Sequence, residues 1–226
     1  MRSQDIFIVI PAFNEQPRLP SVLAKVEKYF PPSRVVVVDD GSSEVLNLPK
    51  DSSVWLLRHK LNLGKGMAMK TGAEFAFGKG ANAIIFLDAD GQHDPCEIPM
   101  FVEYFKRGFD VVFGSRRPGL DTPLIRYLGN KFASLYIRVL FGVYISDILS
   151  GYRGLTQNAY MLLKWNSPRY GVEAEMVARL GSNPKKLRWV EFPIETIYKD
   201  KYKGVTLVQA VKILGETLWW RIGINS

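Results

Sequence analysis

Four consecutive valines, Val35-Val36-Val37-Val38, run directly into Asp39-Asp40-Gly41-Ser42, and this junction constrains the fold more than any other stretch of the chain. An unbroken run of β-branched residues suits a strand covered on both faces, as in a parallel sheet flanked by helices. The valine strand spans Arg34–Asp39, and comparable runs occupy Asp5–Ile10, Ser53–Arg58, Ala83–Asp88 and Asp110–Gly114. Between them, Leu19–Phe30, Lys65–Phe77 and Cys96–Arg107 place apolar residues at helical spacing. The alternation predicts an α/β fold with a mostly parallel central sheet and helices on both faces. After Gly114 the pattern changes. Leu124–Ile145 reads as an apolar-rich helix, followed by helices near Gln157–Trp165 and Val172–Leu180. Lys186–Ile197 reads as strands broken at Pro193, and Val205–Ile222 as a closing helix. A chain of 226 residues is expected to be a single domain, 1–226.

In open α/β sheets ligands bind beyond the carboxyl ends of the strands, so the residues that follow each strand are the place to look for chemistry. The first strand leads into Pro11-Ala12-Phe13-Asn14-Glu15, the second into Asp39-Asp40-Gly41-Ser42, the fourth into Asp88-Ala89-Asp90-Gly91-Gln92-His93 and the fifth into Gly114-Ser115-Arg116-Arg117. Polar groups from four strands gather on one edge. Asp88 and Asp90, one residue apart at a strand end, can present oxygens to one hard cation such as Mg2+ or Mn2+, with Gln92 adding a carbonyl oxygen or a water-mediated contact. A solvated acidic turn is the plainer account of the same residues. Asp39 to Ser42 can accept hydrogen bonds from a nucleobase or ribose, or form a simple Asp-Gly turn. Asn62-Leu63-Gly64-Lys65-Gly66 precedes a helix, where glycines allow close approach and the helix start favours anions. It lacks the upstream glycine and following Ser/Thr of a Walker loop, and no Gly-x-Gly-x-x-Gly follows the first strand.

Together these motifs resemble the family 2 glycosyltransferases of the nucleotide-diphospho-sugar transferase (GT-A) fold, in the branch of dolichyl-phosphate mannose synthase and the polyprenyl-phosphate glycosyltransferases. They are Pro-Ala-Phe-Asn-Glu at 11–15, Asp-Asp-Gly-Ser at 39–42, Asn-Leu-Gly-Lys-Gly at 62–66, Asp-Ala-Asp-Gly-Gln-His at 88–93, Gly-Ser-Arg at 114–116 and Asp-Ile-Leu-Ser-Gly-Tyr-Arg at 147–153. The resemblance implies an inverting, metal-dependent transfer of a hexose from a nucleotide diphosphate sugar of the GDP-mannose or UDP-glucose type. It divides the domain into a nucleotide-sugar half at 1–115 and an acceptor half at 116–226. Pro11, Ala12, Asn14 and Glu15 would hold the donor, with Asp39, Asp40, Gly41 and Ser42 from the second strand end and Gly64 and Lys65 from the helix start. Asp88 and Ala89 would lie against the diphosphate, the ion would sit on Asp88, Asp90 and Gln92, and Lys203 would close over the donor from the charged 198–204 segment. A solvated charge run explains that segment equally well.

Acceptor chemistry can be argued from the residues. A sugar hydroxyl needs a carboxylate base, whereas a lipid phosphate, with a second pKa of about 6, is already ionised near neutrality and needs cations. Arg116, Arg117, Arg126 and Arg153 are the expected phosphate ligands. Asp90, Asp147 and Arg116 are the expected catalytic groups, with Asp147 either a base or the group that orders Arg153. The favoured acceptor is a polyprenyl (dolichyl-type) phosphate. The alternatives are a glycan hydroxyl with Asp147 as base, or a nucleotide-sugar-binding subunit without catalysis. Glu173 and Glu175, two apart on a helix, face different ways and are assigned no catalytic part.

The formal charge of +8 suits anionic partners. The chain lacks zinc-ligand spacing and basic-aromatic interleaving, which argues against nucleic acid. Leu124–Ile145, with five aromatic and three basic residues, has the composition of an interfacial helix, and Trp219-Trp220-Arg221 adds a second membrane-facing feature. Both stretches also fit buried helices. One cysteine and no apparent leader point to a cytoplasmic protein, peripheral on the cytosolic face of a membrane. No run of 18 apolar residues spans a bilayer, so peripheral contact, a membrane-anchoring partner subunit or a further membrane segment would hold the protein there.

Overall fold

A computed structural model describes residues 5–117, 124–169, 171–183 and 186–195, together with 215, 217 and 221; of 124–126 it describes the backbone alone. The chain alternates β1 (Ile6–Ala12), α1 (Leu19–Val26), β2 (Val35–Asp39), β3 (Trp55–Arg58), α2 (Lys65–Gly78), β4 (Ala83–Phe86), α3 (Ile98–Lys106) and β5 (Val111–Arg116). It continues with α4 (Leu124–Phe141), β6 (Arg153–Thr156), α5 (Gln157–Leu163), α6 (Val172–Ser182) and β7 (Trp189–Ile194). The sheet has the order β3-β2-β1-β4-β6-β5-β7. Every described pairing is parallel except those of β6, which runs against both β4 and β5.

The valine strand is fully buried, as its composition requires. Alternate side chains feed two cores. Val36 and Val38 join Phe7, Val9, Ala73 and Met176 on one face, and Val35 and Val37 join Ile8, Ile10, Val22 and Phe101 on the other. Helices α2, α4, α5 and α6 pack on the first face and α1 and α3 on the second. Period-2 alternation inside a uniformly apolar strand thus feeds both faces of the sheet.

Two features of the second half differ from the expectation. The strand at the end of the chain is continuous through Pro193, which pairs in register with Ser115. It is the edge strand, where a missing N–H leaves no ladder bond unmade. The other is β6, four residues inside the 147–153 motif and its continuation, which no periodicity announces. Helix α4 turns Ser134, Ile137 and Phe141 inward, while Leu128, Phe132, Leu135 and Val139 stand 55–76% exposed. Spaced by four, three and four residues, these four share one outer stripe.

Candidate active site

Strands β1, β2, β4 and β5 run in one direction, so Ala12, Asp39, Asp88 and Arg116 emerge at the same edge of the sheet. Loops after β1 and β2 clasp each other. The Asn14 N–H donates to Ser42 Oγ at 2.8 Å, the Ser43 N–H donates to Asn14 Oδ1 at 2.9 Å, and Asn14 adopts φ 55° to do so. Asn tolerates this left-handed geometry better than most residues. Asp39 is buried, accepting from the Ser42 N–H at 2.9 Å and from Arg58 at 2.9 Å. Asp40 turns away from the edge. It accepts from the Leu63 and Gly64 N–H groups at 3.0 and 2.7 Å and lies 2.7 Å from His59 Nδ1, so its carboxylate fastens the loop that opens α2. What approaches Gly64 and Gly66 is the protein itself. A Cβ at either would come within 2.4 or 2.1 Å of the backbone of Pro168 or Ser167.

Asp88, Lys65 and Glu173 form the centre of the site. Lys65 Nζ lies 2.7 Å from Asp88 Oδ1 and 2.8 Å from Glu173 Oε1. Burial works against its charge, but the two carboxylates outweigh it and hold the ammonium pKa above the usual lysine value. Burial likewise opposes ionisation of Asp88, and Lys65, His93 and Arg116 reverse that, leaving its carboxyl below the usual range. Asp90 is shifted the other way, raised by burial and by the negative Asp88, with Glu15 adding to it. Its Oδ1 accepts from the Gln92 N–H at 3.0 Å. Buried His93 is pushed down to about 4 by desolvation, its Nδ1 3.8 Å from Asp88 Oδ2.

Two nearby carboxylates with opposite shifts, the second held towards neutrality by the first, are suited to a hard cation that would relieve both. Among the described residues no three His, Cys, Asp or Glu side chains converge on a metal position. Asp88, Asp90 and the Gln92 segment could hold Mg2+ or Mn2+ only with further oxygens from substrate phosphate or water, as is usual for Mg2+.

Beyond the end of β5, Asp147 is fully engaged. Arg116 reaches it through Nε at 2.6 Å, Nη2 at 2.9 Å and its backbone N–H at 3.1 Å. Burial opposes the charge, but the Arg116 contacts hold the carboxyl below its ordinary range. Asp147 thus orders Arg116, where Arg153 was the anticipated partner. Glu191, from β7, accepts from the N–H groups of Ser146 and Asp147 and from Ser146 Oγ, which fixes the turn. Arg153 is the clearest departure from expectation. It is 1% exposed and donates to the carbonyls of Ser150, Glu173 and Ile148, so it braces the interior and presents nothing to an acceptor phosphate. Desolvation pulls its pKa down to about 10. Arg117 is exposed; the Arg126 side chain and Lys203 lie outside the described residues.

Several of these groups escaped the sequence reading. Arg58, His59 and Glu191 fasten expected site residues from segments without a motif. Glu173 and Glu175 do face different ways, yet both are buried. Glu175 accepts from the Asn166 and Ser167 N–H groups and pairs with Arg179. The available signal was their place in Val172–Leu180, a helix apolar enough that any carboxylate on it must find a partner.

Residues 7–160 match the family described as Glycosyl transferase family 2. The chain is 31% identical to the undecaprenyl-phosphate mannosyltransferase of Micrococcus luteus over 86% of this chain and 84% of that protein. It is 27% identical to a UDP-N-acetylglucosamine–dolichyl-phosphate N-acetylglucosaminyltransferase of Methanococcus voltae, over 99% and 98% respectively. In structure it is similar to glucosyl-3-phosphoglycerate synthase from Mycobacterium tuberculosis, crystallised with Mn2+, uridine diphosphate and phosphoglyceric acid. The TM-score is 0.73 at 18% identity, covering 96% of this chain and 78% of that one, a likeness of GT-A fold.

Proposed function

The chain belongs to glycosyl transferase family 2 and is a glycosyltransferase, and we propose that it moves a hexose, with inversion, from a nucleotide diphosphate sugar to a polyprenyl phosphate. The observation that carries the choice of acceptor is the state of Asp147. A carboxylate held by three donors of one arginine, with a depressed pKa, is a weak base. A hydroxyl acceptor would need a strong one, whereas a phosphate monoester attacks already ionised. The undecaprenyl- and dolichyl-phosphate relatives support the same choice.

The donor lies along the edge formed by Pro11, Ala12, Glu15 and Asp39, with the nucleoside towards the Asn14–Ser42 clasp. A divalent Mg2+ or Mn2+ ion held by Asp88, Asp90 and the Gln92 segment supplies positive charge against the departing diphosphate. Lys65, paired with Asp88 and Glu173, adds a second positive charge on the same side. The positive charge of Arg116, oriented by Asp147, together with Arg117 and Arg126, attracts the acceptor phosphate. Arg153 is left out, because its donors are engaged with carbonyls. The exposed stripe of α4, flanked by Lys131 and Arg138, rests on the membrane that contains the polyprenyl chain. No helix among the described residues is long and apolar enough to cross it. The exposed free thiol of Cys96 fits a reducing compartment and hence the cytosolic face.

The test is product identity. Purified protein with Mn2+ and GDP-mannose or UDP-glucose is given polyprenyl phosphate in one reaction and an oligosaccharide in the other. Glycosylated lipid phosphate is expected; glycan extension alone would replace this acceptor and restore Asp147 as a base.

A further inference from the structure

Lys65 bridges two carboxylates that do not have equal claims on it. Asp88 holds it with Oδ1 at 2.7 Å, at the opening of the site, where the aspartate side chain is 23% exposed. Glu173 holds it with Oε1 at 2.8 Å from beneath, and its side chain is only 4% exposed. The second oxygen of Glu173, Oε2, is buried with no hydrogen-bond partner among the described residues. A buried, unmet carboxylate oxygen beside an ammonium is costly unless something completes it. The backbone of Glu173 is held in place, because Arg153 donates to its carbonyl in the first turn of α6. The site is also tight from above: a Cβ on Gly151 would come within 2.4 Å of Asp88 Oδ2 and 2.7 Å of Lys65 Nζ. On the Gly151 side, Asp88 and Lys65 are therefore closed in by backbone, and a second cation must approach the carboxylate from its exposed side.

We infer that Lys65 is the site's own cation at Asp88: it occupies that carboxylate until a divalent ion arrives, then withdraws onto both oxygens of Glu173. This rests on the reading of Asp88 as a metal ligand and goes beyond it, giving Glu173 a positioning role. An ammonium and a divalent ion on one carboxylate oxygen repel each other strongly at low local dielectric. The flexible four-carbon stem of lysine allows a short retreat, and Glu173 offers the acceptor that makes it favourable. The site thereby keeps Asp88 ionised and oriented without metal, and sets a threshold that the ion must exceed to bind.

The experiment is a titration of the full chain with Mn2+ alone, read by electron paramagnetic resonance, without nucleotide. Lys65→Met is expected to tighten Mn2+ binding by about tenfold, because the competing ammonium is gone. Glu173→Gln is expected to weaken it by about tenfold, because the lysine has no second seat. In the Lys65→Met background, Glu173→Gln should have an effect below about twofold, since Glu173 acts through Lys65. Lys65→Gln carries the same expectation should Lys65→Met fail to fold. Single variants that bind Mn2+ like the parent overturn the exchange, as does a Glu173→Gln effect of equal size in both backgrounds. Asp88→Ala separates the two readings. If it leaves Mn2+ binding intact, the metal assignment falls and the exchange with it. If it abolishes binding while Lys65 and Glu173 variants change nothing, only the exchange falls.

Discussion

At the ends of β1 and β2, polar residues reach across to one another's loops: Asn14 to Ser42 and Ser43, Asp40 to Leu63 and Gly64. Between β5, β6 and α6 the polar residues turn inward, with Arg153 on three carbonyls, Asp147 under Arg116 and Glu173 under Lys65. The first region uses hydrogen bonds at the rim to shape a surface. The second uses buried charge to fix a wall. A motif residue in the first region therefore shapes the rim, and one in the second supports a neighbour.

That contrast can be broken by mutation. Asp88→Ala and Asp90→Ala, at the boundary of the two regions, should each reduce transfer by about a thousandfold, a loss of roughly 4 kcal/mol of transition-state stabilisation. Single-turnover transfer, with circular dichroism to show a retained fold, checks this, and a residual rate near that of the parent removes the metal role. Arg153→Met should cost about 3–5 kcal/mol of stability by leaving three buried carbonyls unmet, whereas Arg117→Ala on the exposed side should stay within about 0.5 kcal/mol. Denaturant unfolding distinguishes them, and similar values for the two would erase the distinction between wall and rim.

His93 gives a pH test of the same boundary. Its folded pKa of about 4 lies below the ordinary 6.5, so between these values the unfolded chain takes up a proton that the folded chain refuses. The stability it contributes is full above pH 6.5 and is lost as pH falls towards 4, by about 3 kcal/mol. Unfolding curves across that range should flatten in His93→Gln. Asp147→Asn is expected to lower transfer to polyprenyl phosphate by less than about tenfold, since it orients Arg116 and abstracts no proton. A loss approaching that of Asp88→Ala would identify a base. The smallest stability effect, within about 0.5 kcal/mol, is expected for Leu135→Glu on the outer stripe of α4. Flotation with anionic vesicles should nonetheless lose the variant; unchanged flotation would take α4 off the membrane.

The fold of the first half was legible because parallel buried strands announce themselves: Val35 to Val38 can hardly be anything else. The same run placed Asp39 and Asp40 at the rim, but both are buried there, held by Arg58 and His59 from 19 residues away. The second half was less legible for two reasons. β6 has only four residues, Arg153 to Thr156, and its first is a charged side chain that local pattern assigns to solvent. Pro193 reads as a strand breaker unless the strand is known to lie at an edge. Asp147, Arg153 and Glu173 were recognisable as unusual, but the partners that join them across the fold, Arg116 for Asp147, Glu173 for Arg153 and Lys65 for Glu173, are distant in sequence, and no local spacing encodes them.

The reversed strand β6 has one more consequence. Because it lies beside β5, with Phe113 opposite Arg153, the excursion that carries α4 leaves the sheet and re-enters it through adjacent strands. Its two feet are therefore about 5 Å apart, one strand spacing. With so narrow a footing, a change in the length of the segment between them need not shift the register of β1, β2 and β4, so the outer turns of that excursion are where insertions would be absorbed.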